Sequence, residues 1–201
     1  MSSRVITLPN VLTVFRMALI PVFVTLLVYQ RFGWALFVFV VAGVTDGLDG
    51  LLARNLQQGS ELGRILDPIA DKLMLVTAFV ALSQHNILPR PLPRHFPIPF
   101  WVTAAVISRD IFIIVGAAAI NMVTGFRGFR PSFLGKVSTT VQICAIIIVL
   151  ICAHFPAISG YVLPSVYATV FVLAIASGAH YIFHAARLLN EERQDAPTPE
   201  R

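Results

Sequence analysis

Four aspartates stand at helical spacing within residues 46–71. Asp46 and Asp49 are one helical turn apart, and Asp67 and Asp71 are one turn apart further along. On two facing helices these pairs would gather four carboxylates, which cannot all stay ionised at close range without a counter-charge. An oxygen-only ligand set suits Mg²⁺, Mn²⁺ or Ca²⁺ better than Zn²⁺. Because the flanking segments are apolar enough to span a membrane, these acids are candidates for function rather than ordinary surface charges.

Small residues and an arginine accompany the acids. Gly50, Ala53 and Gly63 would let a ligand approach the helix backbone closely. Arg54 carries a planar donor group that suits a phosphate. Since paired divalent cations stabilise both the attacking and the leaving oxygen in phosphoryl-type displacement, the stretch predicts a diphosphate-and-metal site at a membrane surface.

The composition is that of a membrane protein. Mean hydropathy is +0.79, and only 12% of the residues are charged. The net charge of +5 comes without a dense basic run, so we expect no nucleic-acid partner. Basic residues near the surface are better suited to anionic lipid or to phosphate-bearing substrates.

Hydropathy predicts an all-α membrane protein with six transmembrane helices, each near the roughly 20 residues that a bilayer requires. The predicted segments are 10–29, 34–54, a third that begins between 61 and 67 and ends near 84, 99–122, 132–153 and 162–188. The proline-dense residues 85–97 predict an exposed loop. We expect one domain over residues 1–190 and a disordered, charged and proline-rich tail over 191–201.

The distribution of positive charge predicts the orientation. An even number of spans puts both termini on one side, which would hold most of the arginines, whereas the other side would hold only Arg31, Arg90 and Arg94. Both termini and the aspartates are therefore expected to face the cytoplasm. The first apolar stretch is too long for a cleaved signal peptide, and no organelle transit pattern precedes it. We expect an integral protein of a bacterial inner (cytoplasmic) membrane.

The aspartate stretch resembles the signature of the CDP-alcohol phosphatidyltransferases, D-x2-D-G-x2-A-R, eight residues, then G-x3-D-x3-D. A second match is N-x2-T-x2-R, carried here by Asn10, Thr13 and Arg16. The resemblance implies phospholipid biosynthesis, in which a substituted phosphate passes from a CDP-linked donor to an alcohol and CMP is released. The expected donor is CDP-diacylglycerol.

The resemblance also implies roles for individual residues. Asp46, Asp49 and Asp67 would bind two divalent cations, Mg²⁺ or Mn²⁺, while Asp71 would deprotonate the acceptor hydroxyl and also contact a metal. A carboxyl group crowded by others in a low dielectric suits the role of base. The positions expected around the nucleotide and the donor are Gly50, Ala53, Arg54, Gly63, Asn10, Thr13 and Arg16.

The acceptor is expected to meet Arg109 and Lys136, by resemblance to the branch of the family that uses glycerol-type acceptors. Members of that branch that use glycerol 3-phosphate commonly carry a second arginine about two turns after the first, whereas residues 116–119 here are Gly-Ala-Ala-Ala. The smaller, uncharged wall favours phosphatidylglycerol as acceptor, the reaction of a cardiolipin synthase. Glycerol 3-phosphate, the acceptor of a phosphatidylglycerophosphate synthase, is the alternative. Arg109 could also be purely structural through Asp110, and Lys136 could be an ordinary cytoplasmic lysine.

Other interpretations remain open. Lys72 either neutralises an aspartate or contacts substrate. Six helices with buried acids could form a small divalent-cation transporter, although the pattern of Gly50, Ala53 and Arg54 has no use in transport. A non-catalytic scaffold would not need an intact motif. His180 and His184 have metal-ligand spacing but lack further ligands. Small residues at 174–179 permit either a homodimer or close packing within the chain.

Overall fold

The computed structural model describes residues 8–56, 61–87, 95–124 and 133–195, and for 8–10, 48–56, 61–69, 71, 117–124, 156 and 184–195 it describes the backbone alone. Within these ranges the chain forms six α-helices and a short 3-10 turn, and no strand. The helices are α1 (Leu8–Val28), α2 (Phe32–Leu56), α3 (Glu61–Leu82), α4 (Phe100–Thr124), α5 (Phe133–His154) and α6 (Ser159–Asp195).

The six helices lie where the hydropathy predicts them, with ends that differ by a few residues. The larger difference is at α6, which begins at Ser159 and continues to Asp195, past the predicted domain boundary at residue 190. The sequence Glu191-Glu192-Arg193-Gln194 consists of good helix formers, so the helix continues beyond its apolar part. Residues 196–201 of the predicted tail lie outside the described residues.

The predicted loop at 85–97 is not simply exposed. Phe96 lies near the end of this loop and Ile98 just after it, and both side chains are buried in the core. The Ile98 amide donates a hydrogen bond to the Leu82 carbonyl at 3.1 Å, and the Tyr167 hydroxyl donates one to the His95 carbonyl at 3.3 Å. Two apolar side chains near the prolines thus anchor the end of this connection, which a proline count alone does not reveal. Residues 88–94 of the loop lie outside the described residues.

Paired contacts give the helix directions. Phe23 of α1 lies against Phe39 of α2, with ring centroids 5.8 Å apart, and these two helices are therefore antiparallel around the connection at 29–31. Trp101 and Phe171 stack edge to face at 4.9 Å, and Arg109 bonds Ser177 further along both helices, so α4 and α6 run parallel. The Ile98 amide meets the Leu82 carbonyl and, further along both helices, Lys72 pairs with Asp110, so α3 and α4 are antiparallel.

The helices form two packed groups. α1 packs most closely on α2 and α3, and α6 packs most closely on α4 and α5, while α2 and α5 join the groups. Phenylalanine, leucine, valine and alanine side chains fill one continuous core, which includes Phe23, Phe79, Val102, Ile146 and Leu163.

Three helices are long and apolar enough to cross a membrane within the described residues: Val11–Val28, Phe133–His154 and Ser159–Phe183. Shorter apolar stretches occupy Phe32–Gly47 and Lys72–Leu82. Large apolar side chains also cover the outside of the bundle, among them Trp34, Phe37, Phe112, Val172 and Phe183. An apolar outer surface of this kind is suited to lipid rather than to water, so the chain is an integral membrane protein.

Candidate active site

An ion pair joins the two motifs recognised in the sequence. Arg16 of α1, whose side chain is buried, places Nη1 2.5 Å from Oδ1 of Asp46 on α2. Thr13 lies one turn before Arg16 on the same helix and is also buried. Nearby, Thr45 uses its hydroxyl to bond the Val41 and Ala42 carbonyls of its own helix, and the motif carboxylate follows it directly. The predicted donor residue and the predicted metal ligand therefore meet.

The remaining motif positions are located by the backbone. Asp49, Gly50, Ala53 and Arg54 lie on the last two turns of α2 or just before them, and Gly63, Asp67 and Asp71 lie on the first half of α3. Asn10 lies on the first turn of α1. The side chains of these residues lie outside the described part of the chain, so the way their carboxylates meet stays a prediction.

A second charged cluster lies where α3, α4, α5 and α6 meet. Lys72 Nζ lies 2.6 Å from Asp110 Oδ1, and Arg109 Nη1 lies 2.7 Å from the same oxygen. Arg109 Nη2 also donates to the Gly135 carbonyl at 3.0 Å and to the Ser177 hydroxyl at 3.1 Å. One carboxylate thus serves two cations. We refer to Lys72, Arg109, Asp110 and Ser177 as the four-helix charge cluster.

The cluster settles the partner of Lys72, which sequence reasoning left open. Lys72 neutralises an aspartate, but this is Asp110 on α4. Arg109 is 5% exposed and makes four hydrogen bonds, so its structural role is evident, while contact with an acceptor stays a prediction. Ser177 and the Gly135 carbonyl were missed as partners. In the sequence Gly135 and Ser177 stand out only as small residues, and small residues are typical of any helix crossing in a membrane.

A groove runs between α4 and α6 on the outside of the bundle. It has a volume of about 590 Å³, and Arg109 and Ser108 are the polar residues along a wall that is otherwise apolar. Its aromatic and aliphatic lining includes Trp101, Phe112, Phe171, Ile175 and Ile182. A basic side chain beside an apolar wall is an arrangement that suits an anionic lipid.

Gly116 gives a physical reason for the missing second arginine. A Cβ atom at this position would lie 2.6 Å from Cε1 of Tyr181, closer than real side chains approach each other. The tyrosine ring of α6 therefore fills the space that a side chain at Gly116 would need. Residues 117–119 of the predicted uncharged wall are described by their backbone alone.

Lys136 lies near the start of α5 and is exposed. Deeper in that helix, Ser138 and Gln142 are buried one turn apart, and neither side chain has a hydrogen-bond partner among the described residues. Sequence reasoning assigned them no role. Along α6, the small residues Ala174 and Ser177 are buried within the chain, so their small size is used for packing between helices of one protomer.

The residues fit divalent cations by their donor chemistry. Asp46 keeps 43% of its side chain exposed beside Arg16, which leaves this carboxylate accessible to a further cation. The motif supplies only carboxylate oxygens, the ligands that hard divalent ions prefer. Among the side chains that the structure describes, no three His, Cys, Asp or Glu residues lie together, and three of the four motif aspartates are not in that set. His184, the predicted partner of His180, is also outside it.

Comparison with known proteins agrees with the sequence pattern. Residues 6–182 match the CDP-alcohol phosphatidyltransferase family. A cardiolipin synthase (CMP-forming) of Streptomyces coelicolor is 36% identical over 69% of this chain and 62% of its own length. A probable phosphatidylglycerophosphate synthase of Mycobacterium tuberculosis is 32% identical over 96% of this chain and 88% of its own length. The human cardiolipin synthase (CMP-forming) is 35% identical over 68% of this chain.

The lengths differ among these relatives. The chain spans 62% of the Streptomyces protein and 48% of the human one. The family match, by contrast, covers residues 6–182, and it includes both the Arg16–Asp46 pair and the four-helix charge cluster. The chain belongs to the CDP-alcohol phosphatidyltransferase family.

Proposed function

We propose that this enzyme acts in phospholipid biosynthesis, transferring a phosphatidyl group from CDP-diacylglycerol to phosphatidylglycerol with release of CMP. The observation that carries the proposal is the intact eight-position motif on α2 and α3, of which Asp46 is ion-paired with Arg16 of the second motif. Family membership and the relatives named cardiolipin synthase support the same reaction.

The chemistry follows from the motif. The Asp71 carboxylate takes the proton of the acceptor hydroxyl, and the hydroxyl oxygen attacks the phosphorus on the diacylglycerol side of the donor. The new P–O bond forms as the P–O bond to CMP breaks, and CMP leaves with the bonding electrons. Two divalent cations, Mg²⁺ or Mn²⁺, held by Asp46, Asp49, Asp67 and Asp71, would supply the charge that neutralises the diphosphate.

The donor is assigned to the α1–α3 group. Arg16 and Arg54 are suited to its phosphates, since a guanidinium presents several donors in one plane. Close approach of the nucleotide to the helix backbone needs small residues, which Gly50, Ala53 and Gly63 provide. Thr13 lies about one turn before Arg16 on α1, and Asn10 lies on the first turn of the same helix.

The acceptor is assigned to the α4–α6 group. A phosphodiester lipid carries one negative charge and two acyl chains, which matches the single cation Arg109 beside the apolar groove. Tyr181 against Gly116 leaves no room for a second arginine at that position, so a phosphate dianion would lack that partner. Lys136, exposed at the start of α5, is the second proposed contact.

Glycerol 3-phosphate is the second candidate acceptor. It is favoured by the Mycobacterium relative named as a probable phosphatidylglycerophosphate synthase, which aligns with 96% of this chain. The cluster also has two cations for one carboxylate, and the remaining positive charge would attract a dianion. In this alternative Arg109, Lys72 and Lys136 together replace the missing arginine.

A direct comparison of acceptors tests the choice between them. Purified protein with CDP-diacylglycerol and Mg²⁺ or Mn²⁺ would receive phosphatidylglycerol, glycerol 3-phosphate, inositol phosphate or serine in parallel, and CMP release would be measured. Release driven by phosphatidylglycerol alone supports the proposal. Release driven by glycerol 3-phosphate replaces it with the second candidate.

The proposed membrane arrangement has six spans, with both termini and the aspartates on the cytoplasmic side of a bacterial inner membrane. The antiparallel pairs α1–α2 and α3–α4, and the basic residues in the sequence around the end of α2 and the start of α3, support this arrangement. A homodimer remains a proposal. Exposed Ala176 and Ala179 on α6 leave a face through which a second copy could approach closely.

A further inference from the structure

We propose that Asp110 is a positioning residue for the transfer reaction, which aligns the helix carrying Asp71 with the helices that hold the acceptor. The proposal rests on the phosphatidyl transfer proposed above. It assigns Asp110 no contact with substrate. Its role would be to hold α3 through Lys72, and α4 through Arg109, at one buried carboxylate oxygen.

The Arg109 side of the cluster is held by several hydrogen bonds. The guanidinium is held by Asp110, by the Gly135 carbonyl of α5 and by Ser177 of α6, at 2.7 to 3.3 Å. The aliphatic stem of Arg109 lies beside Gly178, where an added Cβ atom would be 4.0 Å from Arg109 Cγ. Three helices of the acceptor group therefore fix the position of the Asp110 carboxylate.

Lys72 connects the cluster to α3. Its side chain is 31% exposed, and the ion pair to Asp110 is its bond to the rest of the cluster. Lys72 follows Asp71 directly on α3, and one residue along a helix is a rise of about 1.5 Å and a turn of about 100°. A tether at Lys72 therefore acts on the turn of α3 that carries the proposed base.

α3 packs sparsely against the acceptor group of helices. α3 packs mainly on α1 and has few contacts with α4 or α5. The Lys72–Asp110 pair is thus a direct bond between the group of helices that carries the aspartate motif and the group that carries the groove. Because an attack geometry is sensitive to displacements of about 1 Å, such a bond can affect the chemical step without contacting a substrate.

The experiment compares Asp110→Asn, Lys72→Met and the double variant, with acceptor-dependent CMP release and thermal unfolding in detergent as readouts. Asparagine keeps the shape of the side chain and removes its charge. Thr103→Val is the matched control, since Thr103 is a buried polar residue on the same helix and lies outside the cluster.

We expect kcat of Asp110→Asn to fall by about 10- to 100-fold, as a misplacement of about 1 Å would cause, with KM for CDP-diacylglycerol changed by less than about threefold. Lys72→Met should give a similar loss of kcat. The double variant should be no worse than either single variant, because residues that act as one unit are not additive. Thr103→Val should keep the wild-type kcat.

Several results would overturn the proposal. One is an unchanged kcat in Asp110→Asn. Another is a Lys72→Met variant whose KM for the acceptor rises while its kcat is unchanged. A third is a double variant whose loss of kcat is the product of the two single losses. A loss that only tracks a lower unfolding temperature would show a merely structural role. If Asp110→Asn does not fold, Lys72→Met still decides, since it removes the tether and leaves the Arg109–Asp110 pair. Absence of CMP release from the wild-type protein would instead reject the proposed function.

Discussion

The two carboxylates whose side chains the structure describes in the membrane bundle are both ion-paired. Asp46 meets Arg16, and Asp110 meets both Lys72 and Arg109. Exposed pairs contribute little to stability, and the desolvation of buried pairs can outweigh their attraction, so such pairs are not retained for stability alone. Part of the Asp46 carboxylate is accessible, which suits a cation. The Asp110 carboxylate is buried and is held by Lys72 and Arg109.

Asp71→Asn tests the proposed base at the scale of one residue. The amide keeps the size of the carboxyl group but cannot take the acceptor proton, so we expect turnover to be abolished while CDP-diacylglycerol still binds. Turnover and donor binding would be measured on the same preparation. Turnover close to that of the wild-type protein would remove Asp71 from the base role, and loss of donor binding would assign it to metal or donor binding instead.

At the scale of helices, α4 and α6 pack closely at Gly116. Gly116→Ala would place a methyl group 2.6 Å from the Tyr181 ring, and overpacking of this kind costs about 1 to 3 kcal/mol. The better helix propensity of alanine offsets about 1 kcal/mol of this cost. We therefore expect a lower unfolding temperature in detergent.

Gly43→Ala is the matched control for this prediction. A Cβ atom at Gly43 would have nothing within 4 Å, so the gain in helix propensity should leave its unfolding temperature equal to or above that of the wild-type protein. Equal unfolding temperatures for the two variants would mean that Tyr181 moves aside without cost. In that case the ring would not explain why the position is a glycine.

Helix positions could be predicted from the sequence because each helix contains an apolar stretch, and lipid allows few other structures. The pairing of Arg109 with Asp110 was also visible, since the residues are adjacent. Its bonds to Gly135 and Ser177 were not, because they join residues 26 and 68 positions apart in the chain. Such contacts depend on which helices meet, and apolar composition carries no information about that choice.

The site was predictable for a different reason. A motif with fixed spacing along two helices names its residues without any knowledge of their packing, and Arg16 was placed near the same site by a second motif. The anchoring of the 85–97 connection by Phe96 and Ile98 was missed. Proline predicts where a helix stops, but whether its neighbours are buried depends on the helices above them.

At the scale of the whole molecule, we expect both termini to face the cytoplasm. The test uses a reporter that is active only in the cytoplasm. Fused after Arg201 it should be active, and inserted at the 29–31 connection it should be inactive. The asymmetry of basic residues between the two ends of the bundle is the physical reason. A C-terminal reporter that proves to be outside the cytoplasm would overturn the proposed orientation.

The most direct test of the central claim is the stoichiometry of one reaction. Purified protein would be given CDP-diacylglycerol, phosphatidylglycerol and Mg²⁺ or Mn²⁺, and CMP and cardiolipin would be quantified together. The two products should form in equal amounts, and both should disappear when the divalent ion is chelated. CMP release without cardiolipin, or no CMP with any alcohol acceptor, would contradict the central claim.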